Sequence, residues 1–331
     1  MTILVTGGAG YIGSHMVYEL VAAGEKVVVL DNLSSGFTWA VADEADLVVG
    51  DVGDAALTAK VIKDYNVEAI IHFAGFIIVP ESVTDPLSYY DNNTSRTRTL
   101  LESAVKGNVK HFIFSSTAAV YGSPDKNPVF EDARLDPINP YGTSKLMTEL
   151  MLRDTAFAHD MSYVALRYFN VAGADPMGRT GQSTPNATHL IKVASQAALG
   201  QRERLDVFGT DYPTPDGTCI RDYIHVSDLV RAHLDALTYL RKGKDSDIFN
   251  CGYGRGYSVL EVAEAVKKAS GVDFNVNLVG RRAGDPAEIV AGADRIREML
   301  GWQPQLEDLD LIVSQALKWE KGLESKLIKA A

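Results

Sequence analysis

The chain has 331 residues, of which 46% are hydrophobic and 23% are charged, and its formal net charge is −11 at pH 7. This length and composition are sufficient for a sizeable core and indicate one large domain or two fused domains. No basic stretch stands out and no apolar run approaches ~18 residues, so neither nucleic acid nor a membrane is expected as a partner.

The start of the chain predicts a strand, a glycine-rich turn and a helix. Thr2–Thr6 is an apolar, β-branched run that is typical of a buried parallel strand. Glycines follow at 7, 10 and 13, and residues 14–23 have the spacing of an amphipathic helix. Gly7 permits a tight turn, Gly10 lets the backbone approach a pyrophosphate, and Gly13 lets the helix pack closely on the strand. The pattern indicates a dinucleotide-binding unit.

An acidic residue follows the second predicted strand, at 26–30. Asp31 stands where a carboxylate can hydrogen-bond a ribose 2′-hydroxyl and would repel a 2′-phosphate. We therefore expect NAD rather than NADP as the cofactor. The alternative, a glycine-rich turn with a strand-capping aspartate, would need no ligand.

Strands and helices alternate through the first half of the chain. Further strands are predicted at 47–51, 69–75, 111–116 and 163–169, with helices at 55–65, 86–106 and 141–158. This alternation predicts an α/β fold with a doubly wound parallel (Rossmann) sheet. Ligands of such sheets bind at the carboxyl ends of the strands.

The sequence pattern changes after Asn170. Residues 171–190 are rich in Gly, Pro, Thr and Asn, and 207–223 is predicted to be loop-like. Later elements are predicted as a helix at 224–240, a strand at 248–252 that rejoins the sheet, and a helix at 258–270. We therefore expect two units, a dinucleotide-binding domain over 1–170 plus about 224–252, and a smaller mixed α/β lobe over about 171–223 plus 253–331.

Tyr141 and Lys145 are four residues apart at the start of a predicted helix, and so share one of its faces. A phenol titrates near pH ~10, and each unit by which its pKa falls needs about 1.4 kcal/mol of preference for the phenolate. A nearby fixed positive charge supplies that preference. The pair alone is also common on solvated helix faces. Thr117, at the end of the fifth predicted strand, can lie across a substrate from the phenol.

The glycine turn, the strand-end hydroxyl and Tyr-x-x-x-Lys occur in the order found in short-chain dehydrogenases/reductases, and the chain resembles that superfamily in its extended form. Longer motifs resemble one branch, the UDP-glucose 4-epimerase family, over essentially the whole chain. These motifs are Gly7–Gly13, Asp31–Leu33, Gly50–Val52, His72–Gly75, Pro80–Val83, Tyr89–Asn93, Leu166–Gly173, Asp211–Gly217, Arg221–Val226 and Arg281–Asp285. The last groups are specific to this branch.

The resemblance implies an isomerase of nucleotide-sugar and galactose metabolism that interconverts UDP-galactose and UDP-glucose. Tyr141 would remove the proton from sugar O4, and Thr117 would hydrogen-bond O4. Lys145 would hold the nicotinamide ribose and keep the pKa of Tyr141 low. The C4 hydride would pass to NAD⁺ and return to the opposite face of a transient 4-keto sugar, so the cofactor can stay bound.

The resemblance also implies the ligand contacts. The implied cofactor contacts are Gly7, Gly10, Tyr11, Ile12, Gly13, Asp31, Asn32, Asp51, Val52, Phe73, Ala74, Gly75, Asn92, Ser115, Tyr141, Lys145 and Tyr168. The implied nucleotide-sugar contacts are Thr117, Tyr141, Asn170, Leu190, Arg221, Arg282 and Asp285, most of them in the smaller lobe. Arginine suits a diphosphate because its fork bonds two oxygens at once. No metal is implied.

Three positions depart from the family's pattern. Ile77 stands where a lysine often follows Phe-Ala-Gly, which predicts looser retention of NAD. His189 replaces an asparagine that often contacts the diphosphate, and its role stays open. Ile289 lies at the position that gates N-acetyl sugars, where large tyrosine excludes them and small residues admit them. Isoleucine is intermediate, so activity on acetamido sugars stays open.

Three other functions are alternatives to this one. Nucleotide-sugar 4,6-dehydratases place an Asp-Glu pair where this chain has Ala118 and Ala119, which argues against that activity. A uronate 4-epimerase or a related decarboxylase is a close alternative. A binding protein that senses NAD with an inactive site is a different class, and the presence of Thr117, Tyr141 and Lys145 argues against it.

The sequence also bears on location and assembly. The N-terminus enters a strand directly, which leaves no room for a secretory signal, and two cysteines without metal-ligand spacing fit a reducing cytosol. We therefore expect a cytoplasmic protein. A homodimer is also expected, because helices equivalent to about 86–106 and 141–158 commonly pair in a four-helix interface in this superfamily.

Overall fold

The fold is described from a computed structural model that covers residues 1–185, 187–282 and 284–330. The strands are β1 (Thr2–Thr6), β2 (Lys26–Asp31), β3 (Asp46–Val49), β4 (Val67–His72), β5 (His111–Thr117), β6 (Ser162–Tyr168), β7 (Asn170–Ala172), β8 (Leu205–Phe208), β9 (Ile220–His225), β10 (Asp247–Cys251), β11 (Gly256–Ser258), β12 (Val276–Val279) and β13 (Glu288–Ile289). The α-helices are α1 (Tyr11–Ala22), α2 (Ala55–Asp64), α3 (Val79–Thr84), α4 (Pro86–Tyr89), α5 (Arg96–Lys106), α6 (Pro140–Ala158), α7 (Leu190–Ala198), α8 (Val226–Arg241), α9 (Val259–Ser270), α10 (Asp294–Leu300) and α11 (Leu309–Ala330).

Seven parallel strands form the main sheet, in the order β10-β6-β5-β4-β1-β2-β3. Their side chains alternate between two buried faces, which is why the strands are apolar along their length. Ile3 and Val5 pack in one core cluster with Met16 of α1, whereas Leu4 packs in another with Leu100 of α5. The predicted doubly wound α/β fold is confirmed, and the strand predicted at 248–252 joins the sheet as β10.

Short strands outside the main sheet correct one prediction. The stretch 207–223, predicted to be loop-like, contains the end of β8 and the start of β9. β9 pairs with β7, β11 and β13, and β8 pairs with β12. These strands are two to six residues long and are fixed by partners distant in sequence, so local periodicity could not reveal them. The helix predicted from 224 begins at Val226, because Ile224 and His225 still belong to β9.

The long helix predicted at 86–106 is divided. α4 ends at Tyr89, the turn Tyr90–Ser95 is π-helical, and α5 continues from Arg96. A π-helical turn inside a helix often marks a functional site. This one contains Asn92, one of the predicted cofactor contacts. Within the described residues, no helix combines the length and apolarity needed to cross a membrane.

A buried ion pair holds α6 against the main sheet. Arg167 of β6 donates to both carboxylate oxygens of Glu149 on α6, at 3.0 and 2.7 Å, and the two side chains are only 3% and 2% exposed. Ser116 of β5 donates to the same carboxylate. Arg167 also donates to the Tyr121 hydroxyl at 3.0 Å. α6 is therefore fixed to two neighbouring strands by hydrogen bonds as well as by packing.

We predict that Arg167→Met lowers the free energy of unfolding by about 3–5 kcal/mol, because it leaves the Glu149 carboxylate buried without its partner. Urea unfolding measures the loss. The double variant Glu149→Leu/Arg167→Met should recover part of it, since no charge is then stranded. Arg153→Met is the matched control on α6, because its ion pair is 64% and 70% exposed and should cost less than ~1 kcal/mol. Equal losses at 167 and 153 would contradict the prediction.

Candidate active site

The glycine turn after β1 leaves no room for side chains. Gly7 has a φ of +71°, and a Cβ there would lie 2.6 Å from the Ala74 nitrogen. A Cβ on Gly13 would lie 2.1 Å from the Gly7 carbonyl oxygen. Gly10 precedes α1 without a side-chain cap, so the first-turn amides of the helix are open to a ligand. This cradle fits a pyrophosphate at a helix N-terminus.

The ends of β2 and β3 bring three predicted cofactor contacts together. Asp31 accepts hydrogen bonds from the backbone amides of Ala9 at 2.9 Å and Leu33 at 2.8 Å, one on each oxygen. Each oxygen keeps a second lone pair for a ribose hydroxyl. The Asn32 amide donates to Asp51 at 3.1 Å. Asp31 thus ties the glycine turn to β2 and stays able to accept from a ligand.

The other predicted cofactor contacts lie at or just after the carboxyl ends of the parallel strands, or in the π-helical turn. They are Tyr11 and Ile12 after β1, Val52 after β3, Phe73, Ala74 and Gly75 after β4, Asn92 in the turn, Ser115 in β5, and Tyr168 at the end of β6. Gly75 faces the catalytic candidates, since a Cβ there would lie 3.5 Å from Lys145 Nζ. The order of the strands therefore gathers residues that are far apart in sequence along one edge of the sheet.

The Tyr-x-x-x-Lys pair is buried at this edge. Asn139 caps α6 by accepting a hydrogen bond from its first turn at 2.9 Å. Tyr141 and Lys145 are 7% and 3% exposed, so they do not form a solvated surface pair. Lys145 Nζ donates to the Ser115 carbonyl oxygen at 3.0 Å. Thr117 ends β5, and its hydroxyl accepts a hydrogen bond from the Ala119 amide at 3.1 Å.

The electrostatics of the pair differ from the sequence expectation. Burial raises the pKa of Tyr141, and the nearby Thr117 side chain opposes that rise. Burial lowers the pKa of Lys145 to about 8. The chain alone therefore does not hold the pKa of Tyr141 low, because desolvation of the phenolate outweighs the neighbouring groups. A further positive charge at the site is needed to make Tyr141 a base near neutral pH.

Asn93 is a buried residue near the site whose role is not evident from the sequence. Its amide accepts a hydrogen bond from the Phe76 backbone nitrogen at 2.7 Å and donates to the Phe76 carbonyl at 3.0 Å. It also donates to the Ser144 hydroxyl at 3.1 Å, and Asn92 donates to it at 3.0 Å. Asn93 thus joins the loop after β4 to the helix of Tyr141. The motif Tyr89–Asn93 was recognised, but only the structure shows which asparagine is buried.

A second group of predicted contacts surrounds Asp285. Arg282 donates to both Asp285 oxygens at 3.0 and 3.1 Å, and Arg221 lies 3.9 Å away from the same carboxylate. Arg221, Arg282 and Asp285, three of the implied nucleotide-sugar contacts, are therefore neighbours. Asn170 begins β7, which pairs with the β9 strand of Arg221, and Leu190 begins α7.

The three departures from the family's pattern have different surroundings. Ile77 is 43% exposed in the loop after β4. His189 occupies the N-cap position of α7 without a side-chain capping bond, and its Nδ1 lies 3.3 Å from the Gln182 amide. Burial together with the charge of Lys192 lowers the pKa of His189 to about 4. His189 is therefore neutral near pH 7. Ile289 is 6% exposed and pairs with Arg221 in the smaller sheet.

Histidine, cysteine, aspartate and glutamate side chains do not gather in groups of three or more that could hold a metal ion, in the ranges that the structure covers.

A glycine turn, a strand-end hydroxyl and a buried Tyr-x-x-x-Lys pair on one parallel sheet define the class of the extended short-chain dehydrogenases/reductases.

Comparisons with known proteins narrow this class. Residues 3–252 match the model of the NAD dependent epimerase/dehydratase family. The chain is 57% identical over 328 residues to the UDP-glucose 4-epimerase of Azospirillum brasilense, covering 99% of this chain and 94% of the relative. The UDP-glucose 4-epimerase of Brucella ovis in complex with NAD has a TM-score of 0.93 and 44% identity, covering 96% and 97% of the two chains.

A third relative was solved with two ligands. The UDP-glucose 4-epimerase of Stenotrophomonas maltophila, with bound NAD and formylated UDP-arabinopyranose, has a TM-score of 0.95 and 37% identity, covering 98% of this chain and 99% of that one. The chain therefore belongs to the NAD dependent epimerase/dehydratase family.

We predict that the native chain gains stability over a Lys145→Met variant as the pH rises from about 8 to about 10.5. Between these pH values the Lys145 amine is protonated in the unfolded chain and deprotonated in the folded chain. Raising the pH therefore favours the folded state. Urea unfolding of both chains without added NAD, across this pH range, gives the difference. Lys244→Met, at an exposed site, is the matched control. A difference independent of pH would contradict the prediction.

Proposed function

We propose that this chain catalyses the NAD-dependent, reversible 4-epimerisation of UDP-hexoses, converting UDP-galactose to UDP-glucose through a transient 4-keto sugar. The observation that carries the proposal is the burial of Tyr141, Lys145 and Thr117 together at the carboxyl edge of a dinucleotide-binding sheet. The relatives described above carry the same function over nearly their full length.

The catalytic roles follow from the positions of these three side chains. Tyr141 takes the proton from sugar O4 and later returns it, and Thr117 orients O4 toward the phenol. Lys145, held by the Ser115 carbonyl, binds the nicotinamide ribose. Bound NAD⁺ supplies the hydride acceptor and a positive ring, which is the additional charge that favours the Tyr141 phenolate. The proton taken from O4 and the hydride taken from C4 would both be returned to the sugar, so no net oxidation results.

The two units of the chain bind different ligands in this proposal. We assign NAD binding to residues 1–170 plus about 224–252, and nucleotide-sugar binding to about 171–223 plus 253–331. Two observations support this division: α8 packs on α1 and on the main sheet, whereas α7, α9 and α11 pack on one another.

The substrate diphosphate binds to the arginines around Asp285. Asp285 holds Arg221 and Arg282 in place, and their remaining N–H groups can form paired hydrogen bonds with phosphate oxygens. Anchoring the nucleotide through these residues leaves the sugar free to present either face at C4. The side chain at 289 bears on which sugars fit, so the assay includes UDP-GalNAc and UDP-glucuronate.

We predict that the purified chain converts UDP-galactose to UDP-glucose without added reductant. Tyr141→Phe should lower turnover by about 10²–10⁴-fold, because general base catalysis is lost, while bound NAD per chain stays unchanged. Tyr163→Phe, which removes another buried tyrosine hydroxyl, is the matched control. Absence of interconversion with every UDP-hexose tested would overturn the function, and full turnover by Tyr141→Phe would overturn the role of Tyr141.

We also propose that the protein is a cytoplasmic homodimer. Met147, Leu150 and Phe157 share one face of α6 and are 40%, 42% and 94% exposed. Leu87 on the neighbouring α4 is 77% exposed. A second copy that pairs the same helices would cover this apolar face. The two cysteines are buried and unpaired, as in proteins of reducing compartments.

We predict that Leu150→Glu converts the dimer to a monomer, because it places a charge at the centre of the apolar face. Size-exclusion chromatography with light scattering measures the mass. Leu278→Glu, at another exposed leucine (58%) on β12, should leave the mass unchanged. A native chain that runs as a monomer would contradict this proposal.

A further inference from the structure

His233 lies on α8 next to the carboxyl ends of the central strands of the main sheet. It is fully buried, and its ring has neighbours in β5, in β6 and just after β4. Nε2 lies 3.0 Å from the Ser115 hydroxyl of β5. The ring centroid lies 4.8 Å from that of Phe73, just after β4, and 6.4 Å from that of Tyr168, at the end of β6. All three neighbours are predicted cofactor contacts.

The partners of His233 fix its tautomer. Nδ1 lies 2.9 Å from the Leu229 carbonyl oxygen, which can only accept, so Nδ1 carries the proton. Burial lowers the pKa of His233 to about 4, so the ring is neutral at physiological pH. Nε2 therefore has a lone pair, and the Ser115 hydroxyl must donate to it.

This assignment fixes the direction of the hydrogen bond that the Ser115 hydroxyl makes. Its single hydroxyl proton points down to His233, so the hydroxyl offers only lone pairs toward Tyr168 and the ligand side. Its carbonyl oxygen accepts from Lys145 Nζ at 3.0 Å. Ser115 is therefore held through its side chain by α8 and through its backbone by α6. The position of the Lys145 ammonium depends on a carbonyl whose own residue is fixed by the imidazole.

We propose that His233 is a positioning residue for the epimerisation: as a neutral Nδ1–H tautomer it locks Ser115, and through Ser115 it sets the place of Lys145 beside Tyr141. The proposal rests on the proposed function for its effect on turnover, but the tautomer can be tested without it. No direct contact of His233 with the substrate is required, so the effect should fall on kcat and leave KM for the UDP-sugar unchanged.

The first test is spectroscopic. Long-range ¹H–¹⁵N spectra of the ¹⁵N-histidine-labelled holoenzyme at neutral pH should show His233 as a neutral ring protonated on Nδ1. The signal is assigned by its loss in His233→Gln. A ring protonated on Nε2, or on both nitrogens, would overturn the proposal whether or not the enzyme is active.

The second test compares variants that keep or remove the acceptor. His233→Gln places an amide oxygen near the former Nε2 and should keep kcat within about threefold of the native value. His233→Leu has a similar size but no acceptor, and should lower kcat about tenfold or more. Ser115→Ala removes the same hydrogen bond from the other side and should lower kcat similarly. If His233→Leu does not fold, Ser115→Ala and His233→Gln still decide the outcome.

The double variant Ser115→Ala/His233→Leu shows whether His233 affects kcat through Ser115. If His233 acts through Ser115, the double variant should be no slower than the slower single variant, because the interaction is already lost. Leu240→Ala is the matched control: it is fully buried seven residues further along α8, near Arg241, which pairs with Glu25 and Glu68 at the opposite edge of the sheet. It should lower stability but leave kcat within about twofold.

Three results with these variants would also overturn the proposal. They are additive losses in the double variant, a fall in kcat for His233→Gln as large as that for His233→Leu, and a fall in kcat for Leu240→Ala as large as that for His233→Leu. An inactive native chain with the Nδ1–H tautomer would instead refute the proposed function and leave the geometry of His233 standing.

Discussion

The active-site structure depends on keeping one ammonium group, Lys145 Nζ, buried at the carboxyl edge of the sheet. A charged amine in such a place is costly, and its lowered pKa of about 8 shows that cost. Two features offset part of it: the Ser115 carbonyl accepts a hydrogen bond at 3.0 Å, and the Phe114 ring lies 4.9 Å from Nζ. Both belong to β5. The geometry of the Tyr141–Lys145 pair thus depends on the distance between α6 and one central strand.

Much of the surrounding polar structure maintains that distance. Glu149 and Arg167 fix α6 to β6 one turn beyond Lys145, and Asn93 fixes its first turns to the loop after β4. His233 holds β5 from below. These groups are buried and fully partnered, so they specify one arrangement where apolar packing would allow several. The apolar core supplies the stability of the sheet, and the buried polar groups determine how its helices sit.

The sequence predicts the parts of the molecule that are encoded locally. The glycine turn, Asp31 and the Tyr141–Lys145 spacing lie within short segments, and the alternation of strands and helices reveals the parallel sheet. β8 and β9 were missed because short strands depend on distant partners. Asn93 and His233 were missed for a related reason: their roles come from contacts with Phe76, Ser144 and Ser115, which the chain brings near only after folding. The rise in the pKa of Tyr141 likewise reflects burial, which a motif does not report.

The cluster of Arg221, Arg282 and Asp285 has a consequence for the end of the catalytic cycle. An enzyme that keeps its cofactor must still let each sugar nucleotide depart. When a diphosphate leaves a site lined only with arginines, two guanidinium groups lose their counterion at once, which slows dissociation. Here the Asp285 carboxylate remains as an internal counterion, 3.0 Å from one guanidinium and 3.9 Å from the other. By competing with the phosphates of the proposed substrate, this carboxylate would lower the affinity of the site and speed the exchange of sugar nucleotides.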